Sequence, residues 1–142
     1  MTPQIDYQAA FRSMPAATAL LSPDFVILDA SAGYLEAAGR TLEEVVGHNI
    51  LEAFPANPED PGDTGPQDLR ESLEAVLATR DRNFMQLTRY DVEDHSQPGL
   101  FEERYWAVVN APVCRDTGDV AMIVHMAAEV THQVRQAQAV NA

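Results

Sequence analysis

One stretch in the middle of the chain determines the fold. It reads Pro66-Gln67-Asp68-Leu69-Arg70-Glu71-Ser72-Leu73-Glu74-Ala75-Val76-Leu77. Pro66 suits the first position of a helix, and Asp68 favours the positive N-terminal end of the helix dipole. The apolar residues that share one helical face are Leu69, Leu73, Val76 and Leu77. This spacing predicts one long amphipathic helix whose apolar face is buried.

Three strand-like segments follow the helix, at residues 84–92, 104–113 and 120–128. Each is rich in β-branched or aromatic residues. A polar loop separates the first two, and a tight Asp-Thr-Gly-Asp turn at 116–119 separates the last two. The pattern predicts three antiparallel strands.

Shorter elements precede the helix. Residues 18–24 and 25–28 are apolar on both sides of a Ser-Pro-Asp turn and predict a hairpin. Ser31 and Thr41 can each cap a short helix, the second with capping-box spacing. Residues 55–66 are dense in Pro, Gly, Asp and Asn and predict a loop. The order predicts an α+β fold, a five-stranded antiparallel sheet with short helices and one long helix on one face.

Helical segments flank this core at both ends. Asp6 can cap a helix within residues 1–16, and residues 17–130 contain the sheet and its helices. Residues 131–142 predict the start of an outgoing helix. Isolated helices shorter than about 12 residues are marginal in water, so we expect the chain to be part of a longer protein.

Composition limits the possible functions. The chain has 142 residues, 46% of them hydrophobic, and a formal net charge of -13. We expect a globular, cytoplasmic domain that binds neither nucleic acid nor membranes, because this charge repels phosphate backbones and anionic headgroups, and the sequence has no export signal. Cys114 is the single cysteine, which excludes an internal disulfide and a multi-cysteine zinc site.

Four groups of residues together resemble a known family. They are the segment GRTLEEVVG at 39–47, the helix LRESLEAVL at 69–77, Arg89-Tyr90-Asp91, and Glu103-Arg104-Tyr105-Trp106 with Asn110, Pro112 and Val113. In this order, over roughly residues 7–131, the chain resembles the PAS domains at the input end of bacterial sensor histidine kinases. The resemblance implies a PAS fold for residues 17–130 and a non-catalytic sensory role.

The resemblance also bears on cofactors. Light-sensing flavin relatives keep an adduct-forming cysteine in a Gly-Arg-Asn-Cys stretch, which matches Gly47-His48-Asn49-Ile50 here, so a flavin adduct is not expected. Haem-binding relatives carry a ligating histidine on the long helix, and this helix has none, so haem is not expected either. His48, His95, His125 and His132 are too scattered to predict a metal site. The identity of any cofactor stays open.

A hollow between the sheet and the long helix is where PAS relatives hold small molecules. Strand alternation, with the resemblance, predicts the inward-facing residues. These candidates for the ligand pocket are Met85, Leu87, Arg89, Trp106, Val108, Asn110, Ile123, His125 and Ala127. Arg89, Asn110 and His125 would be polar anchors, and a buried Arg89 would need a partner, either an acid such as Glu103 or an anionic ligand.

The segment Glu129-Val130-Thr131 stands where the family has Asp, then Val or Ile, then Thr, just before the signalling helix. Glu replaces Asp here, so the resemblance does not by itself imply the usual local ion pair. Val130, Val134 and Ala137 have heptad-like spacing. We expect a parallel homodimer through the flanking helices and the outer sheet face, with Glu129, Val130, Thr131 and Val134 passing the signal to a linked output domain.

The function predicted first is a sensory input module that detects a small-molecule or other intracellular signal. A ligand-free dimerisation module, with a cavity filled by its own side chains, is the first alternative. A small α+β enzyme is the second, and Asp29, His48 and Glu52 could be assembled as its catalytic groups, although no spacing rule favours them.

Overall fold

The computed structural model describes residues 2–141, so Met1 and Ala142, at the outer ends of the two flanking segments, lie outside the described residues. The helices are α1 (Tyr7–Arg12), α2 (Ala32–Ala38), α3 (Leu42–Val45), α4 (Ile50–Ala53), α5 (Gly65–Thr79) and α6 (Thr131–Val140). The strands are β1 (Thr18–Leu21), β2 (Ile27–Ala30), β3 (Asn83–Arg89), β4 (Val92–Glu93), β5 (Phe101–Glu102), β6 (Tyr105–Cys114) and β7 (Val120–Glu129).

Five strands form one antiparallel sheet, as predicted, and their order is β2-β1-β7-β6-β3. The edge strands are therefore β2 and β3. Strands β4 and β5 form a separate two-stranded hairpin that the sequence analysis did not predict. The short helix α4 was also missed.

Side chains cap the early helices where the sequence predicted them. Asp6 accepts a hydrogen bond from Ala9 N, and Ser31 accepts one from Tyr34 N. Thr41 and Glu44 form a complete capping box at α3. Gly39 ends α2 in the left-handed conformation, with φ 65°. These local signals fix the helix ends because each satisfies backbone groups that the helix leaves free.

The core lies between α5 and one face of the sheet. Leu73 and Val76 are completely buried, and they belong to one apolar cluster with Leu21 of β1, Ile27 of β2 and Ile123 of β7. Helix α5 has the role that its sequence pattern predicted. Burial of this face, rather than helix propensity, holds the helix in place.

A bulge in β3 overturns one prediction. The pairing of β3 with β6 shifts register between Met85 and Thr88, so the alternation of side chains changes there. Thr88 is buried, whereas Leu87 is 58% exposed. The prediction that Leu87 points inward was therefore wrong, because simple alternation does not hold across a bulge.

The two flanking helices bury few residues against the rest of the domain. Helix α1 has no buried residue, and Arg12 Nε lies 3.1 Å from Asp29 Oδ1 on β2. Helix α6 buries Thr131 at its first position. Within residues 2–141, no helix combines the length and the apolar character required to cross a bilayer.

Candidate functional site

A cavity of about 70 Å³ lies between the sheet and helices α2, α4 and α5. Its apolar lining consists of Ala17, Ala37, Ala38, Ile50, Phe54, Leu69, Met85, Val92, Trp106, Val108 and Ala127. Tyr34, Thr88, Tyr90, Asp91 and His125 contribute polar groups to the wall. Pockets for drug-sized ligands measure roughly 300–1,000 Å³. This cavity therefore suits only a small occupant.

Four polar side chains form a hydrogen-bonded row behind the cavity, and three of them are buried. Residues Asn83, Asn110 and His125 are direct cross-strand neighbours on β3, β6 and β7. His125 Nδ1 lies 2.7 Å from Asn110 Oδ1, and Asn110 Nδ2 donates to Ser72 Oγ at 2.9 Å. Ser72, on α5, donates to Asn83 Oδ1 at 2.6 Å. The row links the cavity wall to Ser72 in the middle of α5 and to Asn83 at the start of β3. It also provides hydrogen-bond partners for Asn110, which is completely buried.

His125 is 5% exposed and lines the cavity. Burial disfavours the charged ring and lowers the pKa of His125 to about 4. The imidazole is therefore neutral at physiological pH. One ring nitrogen is occupied by Asn110, which leaves Nε2 for whatever occupies the cavity.

Tyr34 stands opposite His125, with the two rings 5.8 Å apart in an edge-on arrangement. Burial raises the pKa of Tyr34, so the phenol keeps its proton. Among the described residues, no side chain or backbone group forms a hydrogen bond with its hydroxyl. The cavity thus offers two uncharged polar groups, the Tyr34 hydroxyl and the His125 Nε2.

The aromatic wall on the other side is fixed by backbone contacts. Trp106 Nε1 donates to Tyr90 O at 2.9 Å, and the Tyr90 hydroxyl donates to Phe54 O. A Cβ on Gly65 would lie 2.4 Å from the Tyr90 ring, so only glycine fits beneath it. Trp106 and Tyr90 therefore pack in one position and have no free polar atom for a ligand.

Arg89 lies outside the cavity, among three carboxylates. Its Nε is 2.9 Å from Asp91 Oδ1, and its Nη2 is 2.5 Å from Asp60 Oδ2 and 3.1 Å from Glu103 Oε1. Hydrogen bonding to Asp91 raises the pKa of Arg89 further. Of the two partners predicted for Arg89, an acid or an anionic ligand, the structure has the acid.

The junction between β7 and α6 is held by β6. Arg104 Nη1 lies 2.7 Å from Glu129 Oε1, so the ion pair forms although Glu replaces the Asp of the family pattern. Tyr105 N donates to Thr131 Oγ1 at 3.0 Å, and Val130 N donates to Tyr105 O at 2.8 Å. The start of α6 is therefore bound to the strand that carries Trp106.

A family model described as PAS fold matches residues 11–135. The chain belongs to the PAS fold family. A search of curated protein sequences finds no match. PAS domains are in general non-catalytic sensory modules.

Solved structures with the same fold include three informative ones. The PAS domain of Bordetella pertussis BvgS is 21% identical, with a TM-score of 0.62 over 95% of this chain and 93% of that one. A sensory box sensor histidine kinase from Vibrio cholerae is 21% identical, with a TM-score of 0.56 over 88% of this chain and 89% of that one. An RNA-binding light-oxygen-voltage receptor is 20% identical, with a TM-score of 0.70 over 95% of this chain. This PAS domain spans 35% of that receptor's length, and at these identities the likeness shows the fold alone.

The predicted pocket residues of the PAS domain fall into three groups. Met85, Trp106, Val108, His125 and Ala127 line the cavity. Asn110 and Ile123 are buried behind it, the first in the polar row and the second in the apolar core. Leu87 and Arg89 do not line it. Sequence reasoning missed Tyr34 and Ser72, because a tyrosine or serine on a helix gives no sign of its distant partner.

Ile50, the residue matched to the adduct-forming cysteine of flavin relatives, is buried and lines the cavity. The position is therefore comparable, but its side chain is a hydrocarbon. Cys114 is exposed at the end of β6. Among the described residues, no group of three or more His, Cys, Asp or Glu side chains could hold a metal ion. The predictions that flavin adducts and haem are absent remain predictions.

The three residues considered as catalytic groups of a small enzyme lie away from the cavity wall. Asp29 pairs with Arg12, while His48 and Glu52 are exposed. None of the three lines the cavity.

Proposed function

We propose that this PAS domain is the sensory input module of a signal-transduction protein, and that this protein is a histidine kinase. Residues 17–130 detect a small intracellular signal molecule, residues 1–16 are an N-terminal flank, and residues 131–142 begin the signalling helix. The observation that carries the proposal is that residues of the cavity wall lie next to the residues that hold the N-terminus of α6.

Trp106 lines the cavity and pairs directly across the sheet with Glu129. The preceding residue, Tyr105, binds Thr131 and Val130 at the start of α6. On β7, Ala127 lines the cavity two residues before Glu129. A change in the wall therefore has a path of one or two residues to the helix. A ligand shifts this junction only by the difference in its affinity for two arrangements of it.

We further propose that the domain acts as a parallel homodimer. The outer sheet face carries an apolar row in which Phe84, Val109 and Met126 are cross-strand neighbours. Phe84 is 71% exposed, and Met126 is 42% exposed. Such a face favours a protein partner. Val134, half-buried on α6, would continue the contact along the helix.

Sedimentation equilibrium tests the dimer. Val134→Glu should shift the protein towards monomer, because it places a charge in the proposed seam, and Gln133→Glu adds the same charge at the exposed neighbouring position as a control. The circular dichroism of both variants should match the parent chain. A parent chain that stays monomeric at high concentration, even with α6 extended by its natural sequence, would contradict the dimer.

A ligand-free dimerisation module is the second candidate. The small size of the cavity favours it, because the flexible Met85 side chain in its wall could fill the remaining space. Native mass spectrometry of the protein as purified separates the two: a bound small molecule supports the sensor, and an empty domain whose spectrum is unchanged by any small molecule supports the dimerisation module.

A further inference from the structure

The polar row behind the cavity fixes which ring nitrogen of His125 carries a proton. Asn110 Nδ2 lies 2.9 Å from Ser72 Oγ and 3.7 Å from Met85 Sδ, and both atoms can accept a hydrogen bond. The Ser72 hydroxyl donates onward to Asn83 Oδ1. The amide oxygen of Asn110 is thus the atom that faces His125. An amide oxygen only accepts, so His125 Nδ1 carries the proton.

A neutral imidazole with its proton on Nδ1 has a bare lone pair on Nε2. His125 lines the cavity, and Nδ1 is already used, so Nε2 is the nitrogen available to an occupant. Nε2 can therefore accept a hydrogen bond from an N–H or O–H group of an occupant, and a hydrogen bond shielded from water contributes net binding energy. The Tyr34 hydroxyl can accept or donate beside it.

The charged side chains near the cavity are already paired, so they disfavour a charged occupant. Arg89 is occupied by three carboxylates. Arg40 lies over the Phe54 ring, and its Nη2 is 3.8 Å from Glu93 Oε1. Neither arginine lines the cavity. Asp91 lines the wall, but Arg89 and Asn57 already pair with it. A buried anion would have no cation partner, and a cation would have no free carboxylate.

We propose that the cavity selects a small, uncharged and largely apolar molecule that donates one hydrogen bond to His125 Nε2. This inference rests on the proposed sensory function and names the class of its signal molecule. The volume of about 70 Å³ limits an occupant to a few heavy atoms. An engineered apolar cavity that binds benzene measures roughly 150 Å³, about twice as large.

Ethanol and dimethyl ether test the class, since they have the same atoms but only ethanol carries a donor. Titrations followed by nitrogen–proton NMR of the whole chain should show ethanol binding about three to ten times more tightly than dimethyl ether, the range expected for one net hydrogen bond. Formate, which is charged and equally small, should not bind. His125→Phe should abolish the difference between ethanol and dimethyl ether, and His132→Phe, at an exposed position, should preserve it.

The nitrogen-15 shifts of the His125 ring give a direct readout that needs no variant. They should report a protonated Nδ1 and a bare Nε2, with Nε2 shifting when ethanol binds. A protonated Nε2, tighter binding of dimethyl ether, or preferred binding of formate would overturn the inference. Binding with the predicted preference but no response in α6 would support this inference and contradict the sensory function.

Discussion

The buried His125 makes the stability of this domain depend on pH in a defined way. Its pKa is about 4 in the folded protein and about 6.5 when the ring is solvated. Between these values the unfolded chain binds the proton and the folded chain does not. The free energy of unfolding therefore falls as the pH drops below about 6.5, and this loss is complete below about 4.

The size of the effect follows from the two pKa values. Lowering the pH from 7.5 to 5 should remove about 2 kcal/mol of stability through this one group, and the full loss should approach about 3 kcal/mol. Carboxylates with a lowered pKa, such as Asp60, also lose stabilising charge as the pH falls, so the contribution of His125 must be obtained as a difference between two proteins.

Urea unfolding at pH 7.5 and pH 5 measures that difference. His125→Gln removes the titrating ring, so its free energy of unfolding should fall by about 2 kcal/mol less than that of the parent chain. His132→Gln, at an exposed position on α6, should lose as much as the parent. Equal losses in the parent and in His125→Gln would refute the reasoning, and an NMR titration of the parent in which His125 becomes charged near pH 6.5 would refute it independently.

Three further results are expected. Leu73→Ala should lower the free energy of unfolding by about 2–5 kcal/mol, because Leu73 is completely buried. Leu87→Ala, at the exposed bulge, should change it by less than about 0.5 kcal/mol, and equal thermal midpoints for the two variants would contradict this. Gly65→Ala should destabilise by about 1–3 kcal/mol, since the new methyl group meets the Tyr90 ring, and unchanged unfolding in urea would show that the ring moves freely. The purified domain should be colourless in the visible range, and an absorption band from a bound flavin or haem would disprove that prediction.

Much of the fold could be predicted because its signals are local. Ser31 and Thr41 mark the N-termini of α2 and α3, because each side chain accepts a hydrogen bond from a backbone N–H three residues later. The spacing of Leu69, Leu73 and Val76 likewise defines the buried face of α5. Period-two alternation, with its inward parity taken from the PAS resemblance, predicts that Trp106 and Val108 face inward. Both line the cavity, because β6 is regular through these positions. Their contact with a ligand stays a prediction.

The errors come from interactions that no short window contains. The bulge between Met85 and Thr88 exposes Leu87, and it depends on how β3 meets β6 rather than on the β3 sequence. Asp60, in the loop before α5, is 29 residues from Arg89 and could not be identified as its partner. Ser72 bonds to Asn110 across 38 residues, so its polar role inside an otherwise apolar helix face was not visible either.

The most direct test of the account is whether a change in the cavity reaches α6. Ala127→Leu fills the cavity from β7, and Ala78→Leu adds the same side chain at an exposed position on α5. The amide resonances of Thr131 and Val134 should shift in nitrogen–proton NMR spectra of Ala127→Leu and remain in place in Ala78→Leu. Resonances of Thr131 and Val134 that stay unchanged in Ala127→Leu, while those of Trp106 and His125 move, would contradict transmission from the cavity to the helix.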